Sequence, residues 1–465
     1  MTDTTTDVTP TGGPNYLVLG LAAALVTALS FAAGFFFGPG STAAPVETAA
    51  PRSVPESPLL AFPVRTCSIG AQVASKKLGD ATVFILNAQT DEALFQFGAN
   101  PTAPMGSVMK VITAATALKV LGPDARLTTR VVAGSAPGSV ILIGGGDPTL
   151  SAGNGSVYSG APSITDLAEQ TVAAYQDTYP DADPITEVIV DVTMFPVDDA
   201  WHPSWPKSER TEGYQPLIVP LMVDGDRANP NKATSPRSKN PVAKAAQVFA
   251  DALQAAGAGD GESDITISYG AAPSNATKLA SVSSQPVSKL IKQMLPNSDN
   301  TLAELLLRAV SVKLGLGGTA SSLQGAVIST MTTLDVDLSD GTFIDGSGES
   351  PNIRINPGAM AKLLDTIFSD AGDLALIAGS LPVAGESGTL SSRFDGDAKV
   401  ARGHVTAKTG WINGVYALAG KIDAADGSTL IAVVVASGDV GESAKAAIDN
   451  VFAAAYTCGN NLASY

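Results

Sequence analysis

Only two cysteines and two histidines occur among the 465 residues. Cys67, Cys458, His202 and His404 do not make an ordinary structural zinc site, and no H-E-x-x-H is present. No metal and no cofactor is therefore expected. G-x-S-x-G is absent, so His404 has no nucleophile elbow to serve and reads as a surface-strand residue. No basic run or basic-aromatic stripe appears, and 44 acidic residues stand against 28 basic ones, net −16. That excludes a nucleic-acid partner and describes a solvated acidic surface. Gly144-Gly145-Gly146-Asp147 lacks the trailing G-K-[ST] of a nucleotide loop and reads as a tight turn. No repeat of solenoid period is visible.

The chain is 45% hydrophobic, enough to bury the cores of two or three domains. One uncharged, mostly apolar stretch runs from Tyr16 to Phe37. At about 1.5 Å per residue it reaches the ~30 Å hydrocarbon thickness. It is longer than a signal-peptide core and has no Lys or Arg before it, which favours a retained anchor at 16–38. Thr42-Ala43-Ala44 leaves cleavage open, in which case the chain is secreted. Residues 1–15 then form a short cytoplasmic tail, and Pro-rich residues 39–64 an extended spacer. Either way the bulk of the chain is extracytoplasmic. In that setting an isolated pair at the two ends of the folded part, Cys67 and Cys458, reads as one disulfide joining the first strand to the last helix. Two buried thiols are the alternative.

Strands are expected at 69–75, 82–86 and 93–97, before a helix that opens at Ser107-Val108-Met109-Lys110 and stops at Gly122-Pro123. From there to 278, strand-like pieces (128–132, 140–143, 187–192, 265–269) alternate with helical ones (164–175, 241–256), the pattern of an inserted α/β domain. Two helices follow, at 287–295 and 301–314, the second capped by Asn or Ser. Strands at 400–409, 415–422 and 429–436 and a closing helix at 444–456 complete the chain. Strands at both ends and helices between imply one antiparallel sheet built from both termini.

Ser107 and Lys110, three residues apart, share one helix face. A Lys on a buried helix is unusual and beside a Ser is a plausible base for a nucleophile. Alone the pair is weak. Ser204-Trp205-Pro206-Lys207 repeats it, but its proline disfavours the helix that would align the two side chains. The signal lies in order: Ser107–Lys110, then Ser298-Asp299-Asn300, then Lys408-Thr409-Gly410 on a strand.

These three motifs resemble those of penicillin-binding proteins and serine β-lactamases. Gly144–Leu150, Ala303-Glu304, Asp345-Gly346-Ser347-Gly348, Leu381–Gly385 and Gly388-Thr389-Leu390 narrow the resemblance to the PBP4-type D-alanyl-D-alanine carboxypeptidases/endopeptidases. The resemblance implies a β-lactamase/transpeptidase-like α/β (α+β) fold, with an antiparallel sheet flanked by helices and an inserted α/β domain. Its parts would be residues 65–123 and 279–465, with the insert at 124–278. It implies a serine carboxypeptidase, possessing or lacking endopeptidase action, on the D-Ala-D-Ala end of peptidoglycan stem peptides, with β-lactams as inhibitors. Ser107 would be the nucleophile and Lys110 its base. Ser298 would relay a proton to the leaving amine, and Asn300 would orient Lys110. Lys408 and Thr409 would hold the substrate carboxylate, Gly410 would leave room for the substrate, and the N–H groups of Ser107 and Trp411 would form the oxyanion hole. A β-lactamase or esterase on the same fold, or a non-catalytic wall-binding homologue, are the alternatives. Two departures bear on specificity: Trp411 replaces a usual hydroxyl residue and Glu349 a usual apolar one. Trp201, Trp205 and Tyr214 of the insert read as packing residues.

Overall fold

In the computed structural model, which describes residues 64–464 apart from 99, 154, 260, 262 and 263, both ends of the chain enter one sheet. The apolar span, the tail and all but the last residue of the spacer lie outside the described residues. Strands β1 (Thr82–Asn87) and β2 (Glu92–Phe97) come first. The insert supplies β3 (Thr128–Ala133), β4 (Ser139–Ile143), β5 (Glu187–Asp191), β6 (Thr266–Tyr269) and β7 (Lys278–Ser283). The chain closes with β8 (Val405–Ile412), β9 (Val415–Asp423) and β10 (Thr429–Ser437). The main sheet has the order β2-β1-β10-β9-β8 and is antiparallel throughout, with β8 on an edge.

Because β10 is central, both its faces are covered, and its sequence is an unbroken apolar run rather than an alternation. Ile431, Val433 and Val435 join one core, while Leu430, Ala432, Val434 and Ala436 join the other. The longer helices are α1 (Met109–Leu121), α2 (Ile164–Thr178), α3 (Pro241–Ala255), α4 (Val287–Asn297), α5 (Asn300–Lys313), α6 (Leu323–Thr332), α7 (Pro357–Ser369) and α8 (Ser443–Cys458). Helices α1 and α4 to α7 pack on the first face and α8 on the second. Residues 109–118 of α1 are all buried, which explains a helix apolar on every side.

The second sheet, β6-β5-β4-β3-β7, is mixed: β4, β5 and β6 run parallel, and β3 is antiparallel to both its neighbours. Strand β7 pairs with β3, so this sheet continues to Ser283, past the boundary at 278. The described residues form one compact unit. Three expectations are corrected. Gly70–Val73 is a helical turn, not a strand, since Ile69 and Val73 bury one face at i, i+4 spacing. The last edge strand starts at Val405, after a 3-10 stretch at Gly396–Ala401 that leaves Val400 exposed. The cap of α5 is Asp299, whose carboxylate accepts from Leu302 N–H at 3.0 Å. Among the described residues no helix is long and apolar enough to cross a membrane.

Cys67 and Cys458 are joined as a disulfide, with Cα atoms 5.4 Å apart and a sequence separation of 391. Cys67 lies in a one-residue bridge to Leu462 rather than in a strand. Cys458→Ser is expected to cost about 2–5 kcal/mol, read as a lower denaturant midpoint under oxidising conditions. An unchanged midpoint would contradict that.

Candidate active site

The turn Gly106–Val108 leads directly into α1, so Ser107 stands at the mouth of a helix whose first turn carries Lys110. Lys110 is fully buried. Its Nζ lies 2.7 Å from each of Ser107 Oγ, Asn300 Oδ1 and the Ser347 carbonyl oxygen. A neutral amine has two N–H bonds and one lone pair. With Asn300 and Ser347 taking the two hydrogens, the lone pair is left for the Ser107 hydroxyl. Burial pulls the Lys110 pKa down to about 8, against the opposing pull of Glu349, Glu304, Asp345 and Asp299. The neutral form is thus within reach near physiological pH.

The Ser347 acceptor depends on Glu304, a buried carboxylate that accepts from Gly346 N–H at 3.1 Å and Ser347 N–H at 2.9 Å. Burial and Asp345 push Glu304 up to about 7. Asp345 in turn accepts from Gly348 N–H, Ser350 N–H and the buried Trp205 indole N–H. The loop carrying Ser347 and Glu349 is therefore shaped by two carboxylates and by a tryptophan of the insert.

Ser298 ends α4 in the left-handed region, φ 54°. Such a backbone is costly for a non-glycine residue and gathers at functional sites. It points Ser298 Oγ at Lys408 Nζ, 3.0 Å away. Asp299 is held by Arg227 Nη2 at 2.9 Å and by the Tyr158 hydroxyl at 3.3 Å, fixing the Ser298–Asn300 segment to the insert. Lys408 is fully buried and donates also to the Thr409 carbonyl at 2.9 Å. Burial, then the charge of Lys110, holds its pKa well below the usual lysine range. An incoming carboxylate would restore its charge.

Residues 382–384 cover the free edge of β8 as far as Ala407: Ala407 N–H donates to Pro382 O and Ala384 N–H to Val405 O, both at 2.9 Å. Beyond Ala407 the edge is open, and Thr409 Oγ1 meets Thr389 Oγ1 at 2.9 Å. A cleft of about 240 Å³ is lined by Ser107, Ser298, Asn300, Glu349, Thr389, Thr409 and Trp411, with Glu209 and Tyr214 from the insert. Trp411 is 48% exposed and also borders a second cavity of about 600 Å³.

Glycine 106 packs on the Trp411 backbone: a Cβ there would lie 2.8 Å from Trp411 N. That contact seats the turn carrying Ser107 against Trp411, and both residues line the cleft. Gly410 has a packing reason of its own to be small: a Cβ at 410 would strike the carbonyl oxygen of Met105, which leads into the turn carrying Ser107. Gly410→Ala is expected to push β8 outward and cost about 1–3 kcal/mol, read as a lower denaturant midpoint. An unchanged midpoint would contradict this.

The structure thus gathers Ser107, Lys110, Ser298, Asn300, Lys408, Thr409 and Trp411 around one cleft. Ser204 instead bonds to Ser350 and His202, and Lys207 is exposed. His404 is exposed and lies against Tyr456. Gly145 packs on Thr128 and Asp147 accepts from Thr149, as a structural turn requires. The Ser347 carbonyl was not foreseen, because a backbone acceptor leaves no side-chain signal. Arg227 and Tyr158 sit in the insert, far in sequence from the Asp299 they hold.

The chain matches the D-Ala-D-Ala carboxypeptidase 3 (S13) family over residues 67–235 and 226–456. It is 34% identical over 466 residues to carboxypeptidase DacB of Mycolicibacterium smegmatis, spanning 96% of this chain and 97% of that one. A carboxypeptidase of Mycobacterium tuberculosis is 32% identical over 406 residues, 85% of this chain and 84% of its own length. The crystal structure of penicillin binding protein 4 (dacB) from Haemophilus influenzae shares the fold, with a TM-score of 0.67 at 20% identity over 83% of this chain and 96% of that one.

Proposed function

The chain belongs to the D-Ala-D-Ala carboxypeptidase 3 (S13) family, and from that premise we propose that Ser107 is its acylating nucleophile and Lys110 the base. The enzyme is a serine-type D-Ala-D-Ala carboxypeptidase, a penicillin-binding hydrolase of peptidoglycan stem peptides. The observation that carries the residue roles is the Lys110 amine, buried and 2.7 Å from Ser107 Oγ.

Ser107 Oγ attacks the carbonyl carbon of the terminal peptide bond as Lys110 takes its proton. Negative charge on the carbonyl oxygen is met by the N–H groups of Ser107 and Trp411. When the carbon–nitrogen bond breaks, the proton passes by way of Ser298 to the leaving D-Ala amine. The terminal carboxylate is held by Lys408 and Thr409, and the peptide lies along the open β8 edge as an added strand. Water then cleaves the acyl-enzyme. D-Ala release from a defined pentapeptide tests the scheme: wild type is expected to release it, and Ser107→Ala to lose it. Release by Ser107→Ala at the wild-type rate would sink the assignment.

The second cavity, which shares Thr389, Thr409 and Trp411 with the first, favours endopeptidase action as a second reading. It offers room for a leaving group larger than D-Ala, such as a cross-linked stem. Comparing a cross-linked dimer with the pentapeptide as substrates decides between them. We infer that the enzyme works outside the cell membrane, held there by residues 16–38, or secreted if that segment is cleaved. Supporting this are the apolar stretch and a disulfide suited to an oxidising compartment.

A further inference from the structure

Hydrolysis has a second half, in which water must lose a proton as it attacks the acyl-Ser107 ester. Lys110 sits directly on Ser107 Oγ, where it is placed to protonate that oxygen as it departs. A second base on the cleft side would take the proton from water. One carboxyl group of the cleft meets that need. Glu349 follows Gly348, whose backbone is pressed on the nucleophile turn: a Cβ at 348 would overlap the Gly106 carbonyl and lie 3.0 Å from Ser107 N. Glu349 lines the cleft with Ser107, and its Oε2 accepts from Asn300 Nδ2 at 3.2 Å. Asn300 Oδ1 in turn accepts from Lys110. One connected set therefore runs Glu349–Asn300–Lys110–Ser107.

We propose that Glu349 is the general base of deacylation. The carboxylate takes a proton from water while the water oxygen bonds to the ester carbon. On collapse, the carbon–Oγ bond breaks and the proton returns, by way of the Lys110 amine, to Ser107 Oγ. Glu349 ends ionised and Lys110 neutral, as they began. Burial first, then Glu209 and Asp345, pushes the Glu349 pKa up to about 8, with Lys110 and the Asn300 hydrogen bond opposing. Arg227 and Arg237 also line this cleft. The ionised form gains as pH rises, so deacylation quickens through about pH 8.

The proposal rests on Ser107 being the acylated residue, and one experiment separates the two. Intact mass is followed after a pulse of benzylpenicillin, at several pH values, for wild type, Glu349→Gln and Glu349→Asp. Glutamine keeps an acceptor for Asn300 but cannot take a proton. The Gln adduct is expected to form readily and then decay on the order of 100-fold more slowly, without the rise in decay rate near pH 8. Aspartate should keep that rise. Equal decay of the Gln and wild-type adducts, or a Gln decay that still rises with pH, overturns the assignment. If Gln fails to fold, an Asp variant whose decay shows no rise with pH does so. No adduct on the wild type contradicts the nucleophile instead.

Discussion

Lys110→Met is expected to slow acylation of Ser107 by about 10²–10⁴-fold, the span associated with a positioned base. Methionine preserves the length of the stem and the buried packing but presents no lone pair to the Ser107 hydroxyl. The residual rate should also lose its pH dependence. With Lys110 as the proposed base, its working form is the neutral amine, and acylation is expected to rise as pH climbs through about 8. In Lys110→Met that rise disappears. The check is the rate of penicillin adduct formation between pH 6 and 10. A variant within tenfold of wild type, or one that keeps the rise, would show that another group takes the proton.

Arg227→Met is expected to cost about 3–5 kcal/mol, because it strands a buried carboxylate. Arg227 and Asp299 are 2% and 8% exposed in their side chains, and the Tyr158 hydroxyl accepts from the same guanidinium at 2.7 Å. Burial alone would raise the Asp299 pKa; Arg227, the Leu302 N–H and Arg237 turn it the other way and leave it lowered. A carboxyl with a lowered folded-state value stabilises the fold above its unfolded value near ~3.9 and loses that contribution as pH falls through the folded one. The variant should therefore differ most from wild type at neutral pH and approach it in acid. Denaturant unfolding at pH 7 and pH 3 measures both. D-Ala release should also fall, since Asp299 lies between Ser298 and Asn300. A loss under 1 kcal/mol at pH 7 would mean the pair acts as an exposed one.

What the sequence reveals of this site follows from how each group is fixed. Ser107, Lys110, Ser298, Asn300 and Lys408 are legible because short local geometry (a helix turn, a cap, a strand edge) imposes fixed spacing on them. Their assembly around one cleft is legible only through their order along the chain. The apolar β10 run announces the sheet. The segment Gly70–Val73 misleads because four residues of mixed burial fit either period. Strand β7 escapes notice because it joins the insert sheet beside β3, which lies far earlier in sequence, through the pairing Thr128↔Ser283. The Ser347 carbonyl, the Met105 contact at Gly410 and the hold of Arg227 on Asp299 are tertiary facts with no local pattern.

The central claim is that Ser107 becomes acylated with Lys110 beside it as base. Its most direct test is to treat the protein with benzylpenicillin, digest it and map the adduct by mass spectrometry. A single adduct on Ser107 in the wild type, and none in Ser107→Ala, is the predicted result. An adduct on another residue, or one that persists in Ser107→Ala, would contradict the account.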